Sequence, residues 1–248
     1  MITIEQIAKK FSGKSGEVIA LEPFSQEIAE GELVSIIGPS GCGKSTLLRI
    51  IAGLETPTSG KIVLGTSGLK RPVGFVFQDA VLLPWKTVAE NIRFPLDTSG
   101  VPRSQGDQKV KELIQLVGLA GFENSLPKQL SGGMKQRAAI ARALADDPPI
   151  LLMDEPFSAV DLLTRETLND ELSRIWRKTG KTILLVTHSV EEAAYLGTRV
   201  MVMSPRPGRL RKTFDVDLPS PRGEETKRSP EFLDLVAELR TMMREMTQ

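Results

Sequence analysis

Short apolar runs and amphipathic stretches alternate along most of the chain, and this pattern predicts strands and helices in turn. Continuous apolar runs, typical of buried parallel strands, predict strands at residues 32–37, 73–77, 149–154 and 182–187. Apolar residues at helical spacing predict helices at 45–52, 88–93, 108–117, 134–144, 162–178 and 190–196. Residues 3–7 and 24–28 alternate apolar and polar positions, as edge strands of an antiparallel layer do. The order predicts an α/β fold, with a mostly parallel sheet wrapped by helices.

The chain is predicted to divide into a large α/β part and a short tail. Residues 1–215 form one predicted domain, in which residues 85–145, approximately, are a helical subdomain inserted between strands. A linker rich in Gly, Ser and Pro is predicted at 97–106. Residues 216–248 are predicted as a linker over 217–229 and an amphipathic helix, with Ser229 as N-cap and Pro230 at the first helical position. Its apolar face either docks on its own domain or forms a regulatory or dimer contact.

A glycine-rich loop stands between the first buried strand and the helix that follows it. Residues 38–45 are Gly-Pro-Ser-Gly-Cys-Gly-Lys-Ser, a pattern typical of phosphate-binding loops in this strand-to-helix context. The glycines let backbone N–H groups converge on phosphate oxygens, and the helix N-terminus adds partial positive charge. We expect Lys44 to bridge the β- and γ-phosphates of a nucleoside triphosphate, Ser45 to bind Mg²⁺ and Thr46 to contact the α-phosphate. The alternative is a Gly-rich turn that arose by chance.

Polar side chains also stand where three further strands end. Asp154 and Glu155 close one apolar strand, at the edge where open α/β sheets bind their ligands. We expect Asp154 to hold Mg²⁺ and Glu155 to polarise the water that attacks the γ-phosphorus. Gln78 is expected to reach Mg²⁺ or that water, and His188, the only histidine, to contact the γ-phosphate.

A second glycine turn, Ser131-Gly132-Gly133, opens a predicted helix and leaves N–H groups free at its start. Alone, such a turn is merely flexible. If the helical insertion projects away from the sheet, the turn cannot easily reach Lys44 of its own chain. It is then expected to serve the triphosphate of a second copy in a head-to-tail pair, with Asp161 near the symmetry axis coupling the two sites.

Composition agrees with a compact enzyme and argues against several classes of protein. The 248 residues are 40% hydrophobic, and 32 Lys and Arg against 31 Asp and Glu give no basic excess that would predict nucleic-acid binding. No signal peptide and no apolar run of about 20 residues is visible, so a membrane role would need a spanning partner. Cys42 is the single cysteine, expected to be a tolerated small residue rather than a nucleophile.

The apolar residues at 81–85 form either ordinary core or a groove that receives another protein's helix.

In their order and spacing these elements resemble the ATP-binding cassette (ABC) ATPases over about residues 1–215. The resemblance implies a P-loop NTPase fold with a mostly parallel sheet, an N-terminal antiparallel β layer and an inserted helical subdomain. It also implies binding of ATP and Mg²⁺, hydrolysis of ATP, and a homodimer in the ATP-bound state.

The resemblance assigns a role to each motif. The nucleotide-binding Walker A loop would consist of Gly38, Pro39, Ser40, Gly41, Cys42, Gly43, Lys44, Ser45 and Thr46. The other motifs would be the Q-loop residue Gln78, the signature Leu130–Gly133, the Walker B pair Asp154 and Glu155, the D-loop Ser158–Asp161 and the switch residue His188. By position alone, Phe11 would be the aromatic residue that stacks on adenine.

Three segments narrow the resemblance to the nitrate/sulfonate/taurine importer subfamily: 77–85, 130–137 and 205–209. Members of that subfamily energise uptake of a small solute through a two-subunit permease, which an extracytoplasmic binding protein supplies. The resemblance therefore implies a peripheral location on the cytoplasmic face of the inner membrane and a small anionic solute. The alternative is a soluble, non-transport ABC ATPase. Met134 stands where members of the subfamily commonly have Met. Val160 and Ser189 stand where the wider family commonly has Leu and Asp.

Overall fold

The computed structural model describes residues 1–13, 16–66 and 68–246, which form two compact units. One unit comprises Met1–Leu69 and Lys181–Gln248, and the other comprises Lys70–Gly180. We call the first the phosphate-loop unit, because it contains residues 38–45, and the second the signature unit, because it contains residues 131–133. Within the described ranges, no helix is long and apolar enough to cross a membrane.

The phosphate-loop unit contains an antiparallel sheet near the N-terminus. Its strands are β1 (Ile2–Gly13), β2 (Gly16–Ile28) and β4 (Ser59–Leu64), with β1 in the centre. The predicted antiparallel layer is confirmed, but the prediction that β1 is an edge strand is wrong. The pattern missed β4 because its residues are exposed or half-buried and show no buried alternation.

The same unit contains four strands in the order β7 (Thr182–Val186), β3 (Leu33–Ile37), β8 (Arg199–Met203) and β9 (Leu210–Asp215). Strand β3 pairs in parallel with β7 and β8, and β9 joins β8 in the antiparallel sense. Every residue of β3 and β7 is buried, as their continuous apolar runs predict. The helices of the unit are α1 (Lys44–Ile51), α6 (Val190–Leu196), α7 (Glu224–Arg228) and α8 (Pro230–Glu245).

The signature unit combines a parallel strand pair with helices. Its strands are β5 (Val73–Val76) and β6 (Ile150–Asp154), and a 3₁₀ turn spans Pro127–Gln129. Its helices are α2 (Val88–Thr98), α3 (Arg103–Leu116), α4 (Gly132–Ala143) and α5 (Leu162–Thr179). Helix α2 packs against both α3 and α4. The predicted helices are present, with α2 and α3 longer than the pattern indicates.

The predicted linker at 97–106 is shorter in the structure, because α2 extends to Thr98 and α3 begins at Arg103. Gly106 lies inside α3, where a Cβ atom would be 3.0 Å from Cζ of Arg93. That guanidinium pairs with Asp97 at 2.8 Å and also with Asp107. The glycine thus makes room for an ion-pair cluster that joins two helices, rather than giving freedom to a linker.

The C-terminal helix begins where the sequence predicts. Ser229 caps α8 by accepting a hydrogen bond from the Phe232 N–H at 3.2 Å, and Pro230 occupies the first turn. The helix packs against α6 and α7, and its buried side chains are Phe232, Val236 and Leu239. Of the two alternatives for its apolar face, the structure shows docking on its own unit. The preceding linker is shorter than predicted, because α7 forms within it.

Candidate nucleotide-binding site

The phosphate loop connects β3 to α1, and its glycines are needed for its shape. Gly41 and Gly43 have φ values of 75° and 101°, in the left-handed region that favours glycine. A Cβ on Gly43 would lie 2.6 Å from Cδ2 of Leu21, and one on Gly38 would lie 2.7 Å from the Met203 carbonyl oxygen. The loop therefore packs closely on its own unit. Because these glycines carry no side chains, the loop backbone stays accessible to phosphate oxygens.

Lys44 is held inside the loop that precedes it. Its side chain is buried, and Nζ donates hydrogen bonds to the carbonyl oxygens of Gly38 at 2.7 Å and Pro39 at 3.1 Å. Nζ also lies 3.9 Å from Sγ of Cys42. Burial raises the pKa of the Cys42 thiol, although the Lys44 ammonium acts in the opposite direction. The ammonium thus lies among loop carbonyls that phosphate oxygens can replace as its partners.

His188 leaves the sheet at the same edge as the phosphate loop. Val186, the last residue of β7, is paired with Ile36 of β3, and the two strands are parallel. The Thr187 N–H continues this pairing by donating to the Ile36 carbonyl at 3.1 Å. The edge at which parallel strands end is where α/β proteins bind ligands. The structure therefore brings His188 and the phosphate loop to neighbouring strand ends.

A third loop at this edge, residues 204–209, was not assigned a local role by sequence reasoning. The Gly208 N–H donates to the Ala20 carbonyl at 3.0 Å, and a Cβ on Gly208 would lie 1.9 Å from the Cys42 carbonyl oxygen. Exposed Arg206 places Nη2 3.9 Å from the position of a Cβ on Gly41. The loop therefore braces the phosphate loop. Its Pro-Gly composition indicates a turn but does not indicate what the turn contacts.

Phe11 lies in β1 with 42% of its surface exposed. The Lys9 ammonium lies 4.8 Å from the centroid of its ring, a cation–π distance. An exposed aromatic ring can stack on a base. Stacking of Phe11 on adenine stays a prediction.

The predicted metal and catalytic residues of the signature unit also share one edge. Val76, which ends β5, is paired in parallel with Met153 of β6, so the chain reaches Gln78 and Asp154 at neighbouring strand ends. Asp154 is buried and Gln78 is exposed. Glu155 has φ of 49°, an uncommon value for a residue with a side chain. Backbone strain of this kind concentrates at functional sites.

The signature turn has one packed glycine and one open glycine. Ser131 caps α4 by accepting a hydrogen bond from the Met134 N–H at 3.3 Å. A Cβ on Gly133 would lie 2.8 Å from Cγ2 of Thr164, at the start of α5. A Cβ on Gly132 would meet no heavy atom of the described residues within 4 Å. The turn therefore rests on α5 through Gly133 and presents Gly132 outward.

Two further residues connect the motifs of this unit. Asp161 caps α5 by accepting a hydrogen bond from the Thr164 N–H at 3.0 Å, and this bond is the main reason its pKa is lowered. This capping role was not foreseen, and the predicted coupling role stays a prediction. Buried Gln136 of α4 donates to the Phe77 carbonyl at 3.3 Å, beside Gln78. The sequence around Gln136 shows only a polar residue on a helix, so this contact could not be predicted.

The apolar segment at 81–85 is not ordinary core. Val81 and Trp85 are 58% and 73% exposed, so the core alternative is wrong for these two side chains. The cause is local: Asn91 accepts from the Leu83 N–H at 2.8 Å and donates to the Leu83 and Lys86 carbonyls, which fixes the segment as a surface loop. Exposed aromatic and aliphatic side chains of this kind are typical of protein contact sites.

A buried lysine inside a glycine loop, at the carboxyl edge of parallel strands and before a helix, defines a P-loop nucleotide-binding protein.

Residues 21–158 match the family model described as ABC transporter. Among curated proteins, the chain is 48% identical to an uncharacterised ABC transporter ATP-binding protein, MJ0412 of Methanocaldococcus jannaschii, over 94% of this chain and 87% of that protein. It is 43% identical to the taurine import ATP-binding protein TauB of Roseobacter denitrificans, over 100% of this chain and 95% of that protein. It is 44% identical to the aliphatic sulfonates import ATP-binding protein SsuB of Bacillus cereus, over 91% of this chain and 90% of that protein.

Solved structures agree with the sequence comparisons. A dimeric post-hydrolysis state of the ATP-binding cassette MJ0796, bound to ADP and Pi, superposes with a TM-score of 0.75 at 34% identity, covering 90% of this chain and 100% of that one. The chain belongs to the ABC transporter family. Its fold is the α/β P-loop fold of ABC ATPases, as the motifs predict, and it is an ATP-binding ATPase.

Proposed function

We propose that this chain is the ATP-hydrolysing subunit of an importer that energises uptake of a small anionic solute of the nitrate, sulfonate or taurine class. The observation that carries the proposal is the buried Lys44 ammonium, held by phosphate-loop carbonyls at the sheet edge from which His188 also departs. The names of the taurine and sulfonate import relatives support the class of solute.

Each polar residue of the proposed site has a defined task. The loop from Gly38 to Thr46 binds the triphosphate through backbone N–H groups, and Lys44 bridges its β- and γ-phosphates. Glu155 accepts the proton of the attacking water, Gln78 orients that water, and His188 contacts the γ-phosphate. Phe11 stacks on adenine. These assignments explain why uncommon local features, such as the positive φ of Glu155, occur at the strand ends.

Mg²⁺ is the proposed metal, and the donor chemistry of the residues fits it. The Ser45 hydroxyl, the Asp154 carboxylate and the Gln78 amide all offer oxygen, the ligand atom that Mg²⁺ prefers. When bound, Mg²⁺ would neutralise charge on the β- and γ-phosphate oxygens. Asp154 is the one carboxylate of the three, and its burial at the end of β6 favours a role beside a cation over free solvation.

The proposal includes a homodimer in the ATP-bound state. Ser131, Gly132 and Gly133 would bind the triphosphate held by the other copy, and Asp161 would couple the two sites. The outward-facing Gly132 supports this, since no contact within the described residues requires glycine there. The dimeric assemblies of the cassette MJ0796 support it as well.

The membrane partner is proposed to be a pair of transmembrane permease subunits, indirectly supplied by an extracytoplasmic solute-binding protein. Exposed Val81 and Trp85, close in sequence to Gln78, are the proposed contact for a permease helix. The chain would then lie peripherally on the cytoplasmic face of the inner membrane. Co-purification of a membrane-spanning subunit with the chain tests this against the alternative of a soluble, non-transport ATPase.

Glu155→Gln tests the hydrolytic part of the proposal. We expect ATP to bind with near-normal affinity and turnover to fall by about 10²-fold or more, because the variant lacks the general base. Measurement of the ATP dissociation constant and of phosphate release separates the two effects. Glu112→Gln, on the exposed surface of α3, is the matched control and should behave as the wild type. Near-normal hydrolysis by Glu155→Gln would contradict the assignment.

A further inference from the structure

Helix α6, which follows His188, is held at its C-terminal end by the tail of the chain. The Arg222 guanidinium, through Nη1, donates to the carbonyl oxygens of Tyr195 at 2.7 Å and Gly197 at 2.8 Å. The Tyr195 hydroxyl donates in return to the Arg222 carbonyl at 3.1 Å. A cation at the C-terminus of a helix meets the negative end of the helix dipole and the carbonyls that lack helical partners.

The tail also holds the N-terminal end of α6. Arg240 of α8 forms an ion pair with Oε1 of Glu191, in the first turn of α6. The other carboxylate oxygen of Glu191 accepts a hydrogen bond from the Ser189 hydroxyl at 3.1 Å. Burial acts to raise the pKa of Glu191, but its backbone hydrogen bond and those from Arg240 and Ser189 outweigh burial and lower it. The carboxylate thus links the C-terminal helix directly to the residue after His188.

Both chain neighbours of His188 are held by hydrogen bonds. The Thr187 N–H bonds to the carbonyl of Ile36 in β3, on the strand that leads into the phosphate loop. The Ser189 N–H donates to the Thr187 hydroxyl at 3.1 Å, and the Ser189 hydroxyl accepts from the Glu192 N–H at 3.1 Å. The sheet therefore anchors one side of His188, and α6 with its tail contacts anchors the other.

We propose that Arg240 is a positioning residue for His188, and that the tail acts as a clamp on α6 together with Arg222. The clamp holds the Thr187–Ser189 segment so that His188 is placed for the γ-phosphate without rearrangement. The proposal rests on the ATPase function and on the assigned role of His188. It gives the C-terminal helix a part in catalysis in addition to burial of Phe232, Val236 and Leu239.

A second ion pair on α8 provides a matched control. Glu238 pairs with Lys212 of β9 at 2.8 Å, and both side chains are about half exposed. This pair also attaches α8 to another element of the phosphate-loop unit, but that element is β9 rather than α6. Glu238→Ala therefore removes an ion pair of the same helix, of the same type, while leaving the Arg240–Glu191 pair in place.

The experiment compares steady-state ATP hydrolysis of the full-length wild type with that of Arg240→Ala, Arg240→Lys and Glu238→Ala. For Arg240→Ala we expect kcat to fall by about three- to tenfold with the KM for ATP within about twofold, because positioning of His188 affects the transition state more than ATP binding. Arg240→Lys retains the cation and should restore most of kcat. Glu238→Ala should match the wild type. Equal kcat for Arg240→Ala and Glu238→Ala, or a change in KM alone, would overturn the proposal.

Two further variants keep the outcome clear. Glu191→Gln retains an acceptor for Ser189 but removes the charge, so we expect a kcat close to that of Arg240→Ala. The double variant should lose little more than either single one, since both act through one contact. Additive losses would overturn the proposal. Glu155→Gln in the same series gives the background rate of hydrolysis. A wild type no faster than Glu155→Gln refutes the ATPase function, whereas an active wild type whose kcat is unchanged by Arg240→Ala refutes only the clamp.

Discussion

The phosphate loop and the signature turn are both glycine-rich segments at the start of a helix, yet their surroundings differ. Around the phosphate loop, added Cβ atoms on Gly38, Gly43 or Gly208 would each lie within 3 Å of backbone or side-chain atoms of the same unit. At the signature turn, Gly133 is packed against Thr164, whereas Gly132 meets nothing among the described residues within 4 Å. The phosphate loop is shaped by its own chain, whereas no contact among the described residues requires glycine at position 132.

This difference separates two reasons for a glycine. In the phosphate loop, glycine is needed for folding and for ligand approach at once, so a substitution damages both. At Gly132, only an external partner can require the absence of a side chain, and the proposed partner is the triphosphate bound by a second copy. Substitutions to alanine can therefore distinguish these reasons by measuring stability and activity separately.

The largest effect is expected for Gly208→Ala. Its new Cβ would lie 1.9 Å from the Cys42 carbonyl oxygen, so the backbone of the phosphate loop must move. We expect the free energy of unfolding to fall by about 3 kcal/mol, the upper part of the usual range for overpacking. ATP affinity should fall by about 10²-fold or more, because displaced N–H groups no longer converge on the phosphates. Chemical denaturation and nucleotide titration measure the two losses.

Gly223→Ala is the control for this substitution. Gly223 lies at the start of α7 with a negative φ, and a Cβ there meets no described atom within 4 Å. Its unfolding free energy and ATP affinity should equal those of the wild type. If Gly208→Ala also bound ATP normally, the brace between residues 204–209 and the phosphate loop would have no role in binding.

Gly132→Ala should give the opposite combination of effects. Alanine is the better helix former by about 0.5–1 kcal/mol, and the site has room, so the unfolding free energy should stay constant or rise slightly. Turnover should nevertheless fall by about tenfold or more, because the methyl group would keep the partner's triphosphate from the backbone N–H donors. Hydrolysis measured across a dilution series shows whether the loss depends on the dimer.

Gly133→Ala sharpens this result. The new Cβ would lie 2.8 Å from Cγ2 of Thr164. We therefore expect the free energy of unfolding of Gly133→Ala to fall by about 1–3 kcal/mol, whereas that of Gly132→Ala should not fall. If Gly132→Ala had full activity, there would be no reason to propose that this turn binds the triphosphate held by the other copy.

The comparison also shows what could be predicted from the sequence. Continuous apolar runs identified β3, β6 and β7, because a strand buried on both faces needs apolar residues throughout. The motif residues follow these strands directly, so the strand predictions also placed the chemistry. Strands β4, β8 and β9 and the full extent of α3 were not predicted. Strands β4 and β9 are largely exposed, and α3 contains Gly106, whose role depends on Arg93 of another helix.

Contacts between distant segments form the part that the sequence could not indicate. Neither the brace of Gly208 on the phosphate loop nor the pair of Arg240 with Glu191 has a local pattern, because the partners lie 166 and 49 positions away along the chain (208 − 42 and 240 − 191). Such contacts depend on how the units fold. They are also what makes the phosphate-loop unit tightly packed around its functional loops.

The smallest expected effect is the few-fold change that bound ATP should cause in the alkylation of Cys42, a reaction that reports on that packing without any substitution. Burial raises the pKa of its thiol, so less of the reactive thiolate is present at a given pH, and the side chain is fully buried as well. We expect alkylation by iodoacetamide at about pH 7.5 to be slower than that of the unfolded chain by about tenfold or more, and to accelerate as pH rises towards the raised pKa. Because Cys42 is the only cysteine, mass spectrometry of the intact protein measures its labelling alone.

Bound ATP should slow the reaction further by a few-fold, since phosphate would draw the Lys44 ammonium from its position 3.9 Å from Sγ and cover the loop. Equal labelling rates with and without ATP would show that the nucleotide does not close over this loop.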